Sequence, residues 1–528
     1  MAAEGSSVDR PEIAIPRDFN AAADLIDRNL AAGRAGATAF LDDRGSLTYG
    51  ALSERVNRAA NAFRALGIEP EQRILLCLLD TNDFPAAFLG AIKAGIVPVP
   101  VNTVLTPSDY AFMLRDSRAR ALVVSDVLHE RLAPAAADQP ALRQVIVSGD
   151  AAPTGTRRFA DLLAAASREA TTAPTSRDDA CFWLYSSGST GAPKGAVHLQ
   201  SHLRLTAELY AKPVLGIREG DVAFSAAKLF FAYGLGNSLT FPLAVGATSV
   251  LHADRPTPQA VARILKEKKP TIFYGVPTLY AAMLASPDLP RRDEVTLRRC
   301  VSAGEALPED IGRRWNDRFG IEILDGLGST EMLHIFLSNA PGAVRYGTSG
   351  RPVPGYEVRL VDEDGAPAKD GEIGELQVSG PTSAAYYWNN REKSRDTFLG
   401  RWTRSGDKYV RSPDGYYTYC GRTDDMLKVG GIWVSPFEVE GALASHDQVL
   451  EAAVIGAEDE NRLVKPKAFV VLKPGVAPTP VLAAALQDHV KSRLAPYKYP
   501  RWIEFASELP KTATGKIQRF KLRAPSRT

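Results

Sequence analysis

The chain has 528 residues, which at about 150 residues per domain corresponds to three or four compact units or fewer larger ones. Lys and Arg number 63 against 61 Asp and Glu, and a net charge of +2 argues against a protein whose main task is to neutralise nucleic-acid phosphate. With 45% hydrophobic and 23% charged residues, the composition excludes wholesale disorder and collagen-like repeats and points to a folded chain with a large core.

The first twenty residues carry no apolar signal-peptide core, and the chain ends in Pro-Ser-Arg-Thr rather than a peroxisomal tripeptide. Leu52, Val56, Ala59, Phe63 and Leu66 recur at helical spacing, with Thr48 as a cap and Gly67 as a left-handed stop. Residues 74–79 read as a buried strand, 83–93 as a helix ending near Gly95, and 96–101 as the next strand. That alternation implies parallel α/β layers. Lys93, Pro85, Pro98 and Pro100 interrupt the stretch 84–101, so no membrane span is expected. The same rhythm returns at 121–125, at 248–252, and at 271–274 after a helix at 260–268.

Residues 347–419 are rich in Gly, aromatics and short alternating runs such as 357–361 and 375–378, and read as a small, mostly β region. The glycine-bounded polar stretch 421–431 suits a linker. A small α+β unit follows, with strands at 453–455 and 468–472 and a helix opening with Thr479 and Pro480. The expected fold class is therefore α/β: a large N-terminal domain over 1–423, then a small mobile α+β domain over 424–528. Cys77, Cys181, Cys300 and Cys420 are scattered, which suggests neither a disulfide framework nor a cysteine zinc site and fits free thiols in a reducing cytoplasm.

The strongest local signal is 185–195, Tyr-Ser-Ser-Gly-Ser-Thr-Gly-Ala-Pro-Lys-Gly, preceded by apolar residues 182–184. Amides exposed by glycine, together with Ser and Thr hydroxyls, form an anion cradle. Pro193 and Gly195 flank the lysine, so the loop is not a Walker A motif. A Gly/Ser-rich turn on its own would read as a flexible linker; Pro193 and Lys194 favour phosphate.

Together with this loop, five further motifs stand in order: Ser302-Ala-Gly-Glu-Ala-Leu-Pro308, Asp325-Gly-Leu-Gly-Ser-Thr-Glu331, Ser405-Gly-Asp407, Gly421-Arg-Thr-Asp-Asp425 and Pro510-Lys-Thr-Ala-Thr-Gly-Lys516. Over nearly its whole length the chain thereby resembles the adenylate-forming acyl- and aryl-CoA synthetases, a family that includes luciferases and peptide-synthetase adenylation domains. Segments 228–237 and 329–336 look like those of benzoate-CoA ligases within it.

The resemblance implies a carboxylate attacking the α-phosphate of ATP, release of pyrophosphate, and attack of the CoA thiol on the acyl-adenylate. The protein's task is to position anions and stabilise charge. It further implies that Ser186, Ser187, Gly188, Ser189, Thr190, Gly191 and Lys194 hold phosphates, and that Gly304, Glu305, Ala306, Asp325 and Gly326 line the adenine, with Thr330 beside them. Asp407 accepts the ribose hydroxyls and Arg422 supports the ribose. Glu331 and Thr190 serve Mg²⁺, a hard ion suited to carboxylate and phosphate oxygen. Leu327 stands where the family often has Tyr, so adenine stacking becomes aliphatic.

Lys516, by the same resemblance, sits between the attacking carboxylate and the α-phosphate, although a lysine in a basic tail is by itself a solvated charge. Residues 491–523 hold nine basic and two acidic side chains, readable as a solvated face, a nucleic-acid patch, or a site for ATP and the anionic end of CoA. Tyr497, Trp502 and Phe505 interleave as core positions, which favours the last. Asp424 matches the hinge about which the small domain rotates between half-reactions, Gly431 borders the pantetheine channel, and Lys428 meets the acyl oxygen.

Phe231, Ala232, Tyr233, Ala303, Gly328, His334 and Ile335 match acyl-pocket positions; the small residues leave a flat slot between aromatic walls, which suits benzoate better than a long acyl chain. Read without the resemblance, the aromatics are core and His334 is structural. His198 and His202 have helix-face metal spacing but no third ligand, and 234–239 lacks the last glycine of a dinucleotide fingerprint; neither is retained.

The partners implied are benzoate, ATP and CoA, without nucleic acid or membrane. A homodimer is compatible with the residues and not specified by them. A lysine acetyltransferase and deacetylase acting on Lys516 is a further expectation, since relatives are acetylated at that pattern. Substituted benzoates (hydroxy-, amino- or halobenzoate) or another small carboxylate remain the alternative substrates. A carrier domain, which a peptide synthetase needs, does not follow Lys516.

Overall fold

A computed structural model describes residues 11–186, 193–423, 425–429, 432–460, 462–511 and 517–523. Helix Tyr49–Ala65 begins where Thr48 Oγ1 accepts the Ala51 amide, and the chain leaves it through Gly67 at φ +73°. Helix Asp83–Lys93 has the predicted bounds, and nearly every side chain on it is buried, because it packs between helix Tyr49–Ala65 and its own sheet.

Two sheets form the body. One is a five-stranded parallel sheet ordered Val97–Pro100, Arg73–Cys77, Ala121–Ser125, Gln144–Ser148, Arg157–Arg158. The other has nine strands. Its parallel centre runs Ile323–Gly328, Arg299–Ser302, Ile272–Gly275, Val222–Ser225, Thr248–Val250, Thr38–Asp42, and antiparallel strands flank it on both sides. All-parallel strands buried on both faces read as continuous apolar runs, which is why they were visible in sequence.

Two strands stop earlier than their apolar runs suggest. Arg73–Cys77 gives way before Leu79, whose amide turns to Ser125 Oγ at 3.0 Å. Thr248–Val250 ends before His252, because the carbonyls of His252, Ala253 and Asp254 converge on the Lys228 ammonium.

An antiparallel hairpin, Ala180–Ser186 with Lys194–Leu199, carries the Gly/Ser loop and receives Tyr386–Tyr387 as its third strand. The region rich in aromatics is an antiparallel sheet of Glu357–Val361, Ile373–Ser379, Trp402–Arg411, Phe398–Leu399 and Tyr417–Arg422. The stretch read as a linker is shorter than expected: strand pairing persists to Arg422, opposite Asp407, and resumes at Leu427–Val429, opposite Ile432–Val434.

The C-terminal unit is a three-stranded sheet, Val449–Glu458, Val464–Leu472 and Trp502–Phe505, backed by helices Pro436–Ala444 and Pro480–Arg493. Thr479 caps the latter by accepting the Leu482 amide. A buried ion pair, Arg519 bidentate to Glu440 at 2.9 and 2.7 Å, anchors the chain's last described turn to helix Pro436–Ala444. Among the described residues no helix is long and apolar enough to cross a membrane.

Candidate active site

Ligands of open parallel sheets collect at the carboxyl ends of the strands, and the sequence motifs fall there. Ala303, Gly304, Glu305 and Ala306 follow strand Arg299–Ser302; Asp325, Gly326 and Gly328 close strand Ile323–Gly328; Thr330 and Glu331 lie in the turn after it. Gly328 cannot be otherwise: a Cβ there would stand 2.7 Å from the His334 carbonyl oxygen.

The Glu331 carboxylate is the polar centre. Its Oε1 accepts the Tyr387 hydroxyl at 2.6 Å and Ser186 Oγ at 3.2 Å, and its backbone carbonyl takes the Ala384 amide at 2.7 Å. Burial and the adjacent Glu331 hold the Tyr387 phenol well above its ordinary range, so it donates. Burial lowers Lys194 while the Glu331 charge opposes that shift. Arg422 also feels the Glu331 charge and bonds Asp407 Oδ1 and the Ser405 carbonyl, each at 3.1 Å. Two cations and a carboxylate with one oxygen turned away from its hydroxyl donors form an arrangement suited to a polyanion with its counter-ion.

His198 and His202 are not a metal pair. Their Nδ1 atoms lie 3.0 Å apart and His198 Nε2 donates to the Thr330 carbonyl at 2.8 Å; burial pushes His198 down to about 4 and holds His202 well below the usual imidazole range. Both are neutral supports of the turn that presents Glu331. Among the described residues no cluster of three His, Cys, Asp or Glu could hold a metal.

The predicted acyl residues divide. Tyr233 and His334 meet, with rings 5.6 Å apart and His334 Nε2 at 3.3 Å from the Tyr233 carbonyl and 3.2 Å from Asn237 Oδ1. Phe241 and Tyr210 enclose the same imidazole, and burial holds His334 neutral, at about 3. The Tyr233 hydroxyl donates to the carbonyls of Gly275 and Val301, both at 3.3 Å, fastening helix Ala232–Leu235 to the strand ends. Gly236 lies against His334; a Cβ there would come within 2.4 Å of the ring. Ile335 is buried, Ala232 is half-buried, and Phe231 lies tilted at 56° against Phe230 with centroids 4.5 Å apart.

Asp325 is buried, with Oδ1 unpartnered and Oδ2 3.5 Å from the Leu307 amide; burial drives its carboxyl well up. Ser187, Gly188, Ser189, Thr190, Gly191, Asp424, Gly431 and Lys516 lie outside the described residues, as does the Lys428 side chain, although its backbone lies on strand Leu427–Val429. Ile517, the residue after Lys516, donates its amide to Glu305 Oε1 at 3.3 Å.

Sequence reasoning missed Tyr387 and Asp80, and gave no role to Lys228, the first residue of segment 228–237. Tyr387 is 56 positions from Glu331 and comes near only because it pairs with Ala196. Lys228 and Asp80 brace the segment before Phe231, Asp80 by accepting the Leu229 amide at 3.2 Å. A lone Asp or Tyr outside any motif carried no signal.

The family model described as AMP-binding enzyme matches residues 27–388, and that of the AMP-binding enzyme C-terminal domain matches 438–516. The chain is 64% identical over 516 residues to the benzoate–CoA ligase of Thauera aromatica, covering 97% of each protein. It is 54% identical over 513 residues to the 4-hydroxybenzoate–CoA/benzoate–CoA ligase of Rhodopseudomonas palustris, covering 96% of this chain and 94% of that one. The crystal structure of a benzoate CoA ligase from Burkholderia xenovorans LB400 superposes with a TM-score of 0.90 at 59% identity, over 96% of this chain and 100% of that one.

Proposed function

The chain belongs to the AMP-binding enzymes, and from that premise we propose that it ligates benzoate to coenzyme A through benzoyl-AMP, releasing pyrophosphate and then AMP. The near full-length likeness to a benzoate–CoA ligase carries this reading. It is an acid–thiol ligase with ATP and CoA as substrates.

In the first half-reaction the benzoate ring occupies the slot beside Tyr233, Ala303 and Gly328, with Phe231, Ala232, His334 and Ile335 as its walls. Asp325 Oδ1, an orphaned buried acceptor, suits the exocyclic amine of adenine. Asp407, held by Arg422, takes the ribose hydroxyls; the 186–191 loop and Lys194 take the phosphates.

Glu331 fits a Mg²⁺ brought in with ATP, because that ion needs one or two protein carboxylates rather than a cage, and Thr190 adds a hydroxyl. Such an ion would neutralise phosphate charge. Lys516 offsets the repulsion between carboxylate and α-phosphate. The Ile517–Glu305 contact supports this pose of the lid domain, 424–528, for adenylation. Rotation about Asp424 then brings Gly431 to the pantetheine and Lys428 to the acyl oxygen.

Acetylation of Lys516 would remove the charge on which the first step depends. The reading places the enzyme in the cytoplasm, where the four buried thiols stay reduced. The ranking of kcat/KM over benzoate, fluoro- and hydroxybenzoates and hexanoate tests the reading. Benzoate first and hexanoate last is expected. An apolar slot rejects an added hydroxyl by only about 10²-fold, so hydroxybenzoate turnover fits, whereas hexanoate as the best substrate would overturn the aryl assignment.

A further inference from the structure

We infer that Tyr387 is a positioning residue for Glu331, its hydroxyl holding Oε1 so that Oε2 faces the cation of the ATP complex; this rests on the metal reading of Glu331 proposed above. The geometry is tightly constrained. The main chain of the 329–332 turn is pinned from three sides: His198 Nε2 donates to the Thr330 carbonyl at 2.8 Å, the Ala384 amide to the Glu331 carbonyl at 2.7 Å, and Thr382 Oγ1 to the Met332 carbonyl at 2.8 Å. What remains free is the rotation of the Glu331 side chain.

Tyr387 removes that freedom. Tyr387 is 4% exposed, its ring packs on Phe398 at 5.2 Å, its amide donates to Ser394 Oγ at 2.9 Å, and its strand pairs with Lys194–Leu199. The phenol therefore reaches Glu331 from a fixed point, at 2.6 Å, with Ser186 Oγ on the same oxygen at 3.2 Å. Oε2 has no partner among the described residues. A Mg²⁺ site demands near-ideal octahedral geometry, and a carboxylate whose second oxygen is hydrogen-bonded offers one lone-pair direction instead of a rotating pair. Loss of such an orienting partner typically costs 10- to 100-fold in metal affinity.

The test is Mn²⁺ affinity, read by electron paramagnetic resonance, of the enzyme complexed with α,β-methylene-ATP, whose carbon bridge prevents transfer of the adenylyl group. Tyr387→Phe keeps the ring, and thermal unfolding checks the fold. Expected is Mn²⁺ binding weakened about 10- to 100-fold, a raised Mg²⁺ requirement for pyrophosphate release, and an unaltered KM for benzoate. Ser186→Ala, removing the longer bond, loses less. Wild-type Mn²⁺ affinity in Tyr387→Phe while Glu331→Gln loses it overturns the assignment of Tyr387 alone. Wild-type affinity in Glu331→Gln overturns the metal reading and this inference with it. A Ser186→Ala loss equal to that of Tyr387→Phe overturns the leading role of the phenol.

Discussion

The backbone amide of Ile517 donates to the side chain of Glu305 at 3.3 Å, joining the C-terminal unit to the loop that follows strand Arg299–Ser302. A main-chain donor on a carboxylate is a charge-assisted bond, and such bonds contribute about 1.5–3 kcal/mol. Glu305→Ala is therefore expected to raise the KM for ATP in pyrophosphate exchange by about tenfold or more, with a smaller effect on thioester formation from supplied benzoyl-AMP. Equal effects on both half-reactions would show that Glu305 does not select the pose.

Lys516→Ala should abolish benzoyl-AMP formation, a loss of about 10² to 10³ or more for one preorganised donor, while supplied benzoyl-AMP is still converted with CoA. Asp424→Pro should impair the two half-reactions unequally by holding one pose. Single-turnover assays of each half-reaction decide both.

Arg519 and Glu440 form a buried pair in the lid, with side chains only 8% and 10% exposed. Arg519→Met leaves Glu440 charged in the interior, although the Val454 amide still donates to it at 2.7 Å. A destabilisation of about 3–5 kcal/mol is expected, visible as earlier unfolding of the lid in calorimetry. The double variant Arg519→Met/Glu440→Leu should recover much of it; no recovery would mean that the pair's geometry, not its charge, holds the turn.

His198 and His334 are neutral in the fold, with burial lowering them to about 4 and about 3. The unfolded chain binds their protons from about pH 6.5 downward. Between that pH and the folded values the unfolded state therefore holds more protons, so stability rises with pH and is lost on acidification, at up to about 1.4 kcal/mol per pH unit per histidine. The Tm of His334→Gln should consequently fall less than that of the wild type between pH 6.5 and 5. An identical fall would mean that His334 takes up its proton in the fold.

Elements with a clear hydrophobic pattern bounded by turn residues were legible before any coordinates. Helix Asp83–Lys93 and strands Ala121–Ser125 and Glu357–Val361 have the bounds that hydrophobic pattern and turn residues predict. Strand ends were not: Leu79 and His252 leave their sheets because Ser125 and Lys228, distant in sequence, take their backbone groups. The extent of the 421–431 stretch depended likewise on a partner strand, the one that sets Arg422 opposite Asp407.

The residues by themselves determined the chemistry on offer, since motifs such as 325–331 and 405–407 are contiguous and their composition restricts what they can bind. They also determined the α/β layering, because apolar periodicity is local. Tertiary structure alone decided how the carboxylate at 331 is aimed, through Tyr387, Ser186 and His198, and that the paired histidines serve as neutral struts instead of metal ligands. The reason is physical: hydrogen-bond direction and desolvation depend on which surfaces meet, and no spacing along the chain encodes the 56 positions that sheet pairing brings to 2.6 Å.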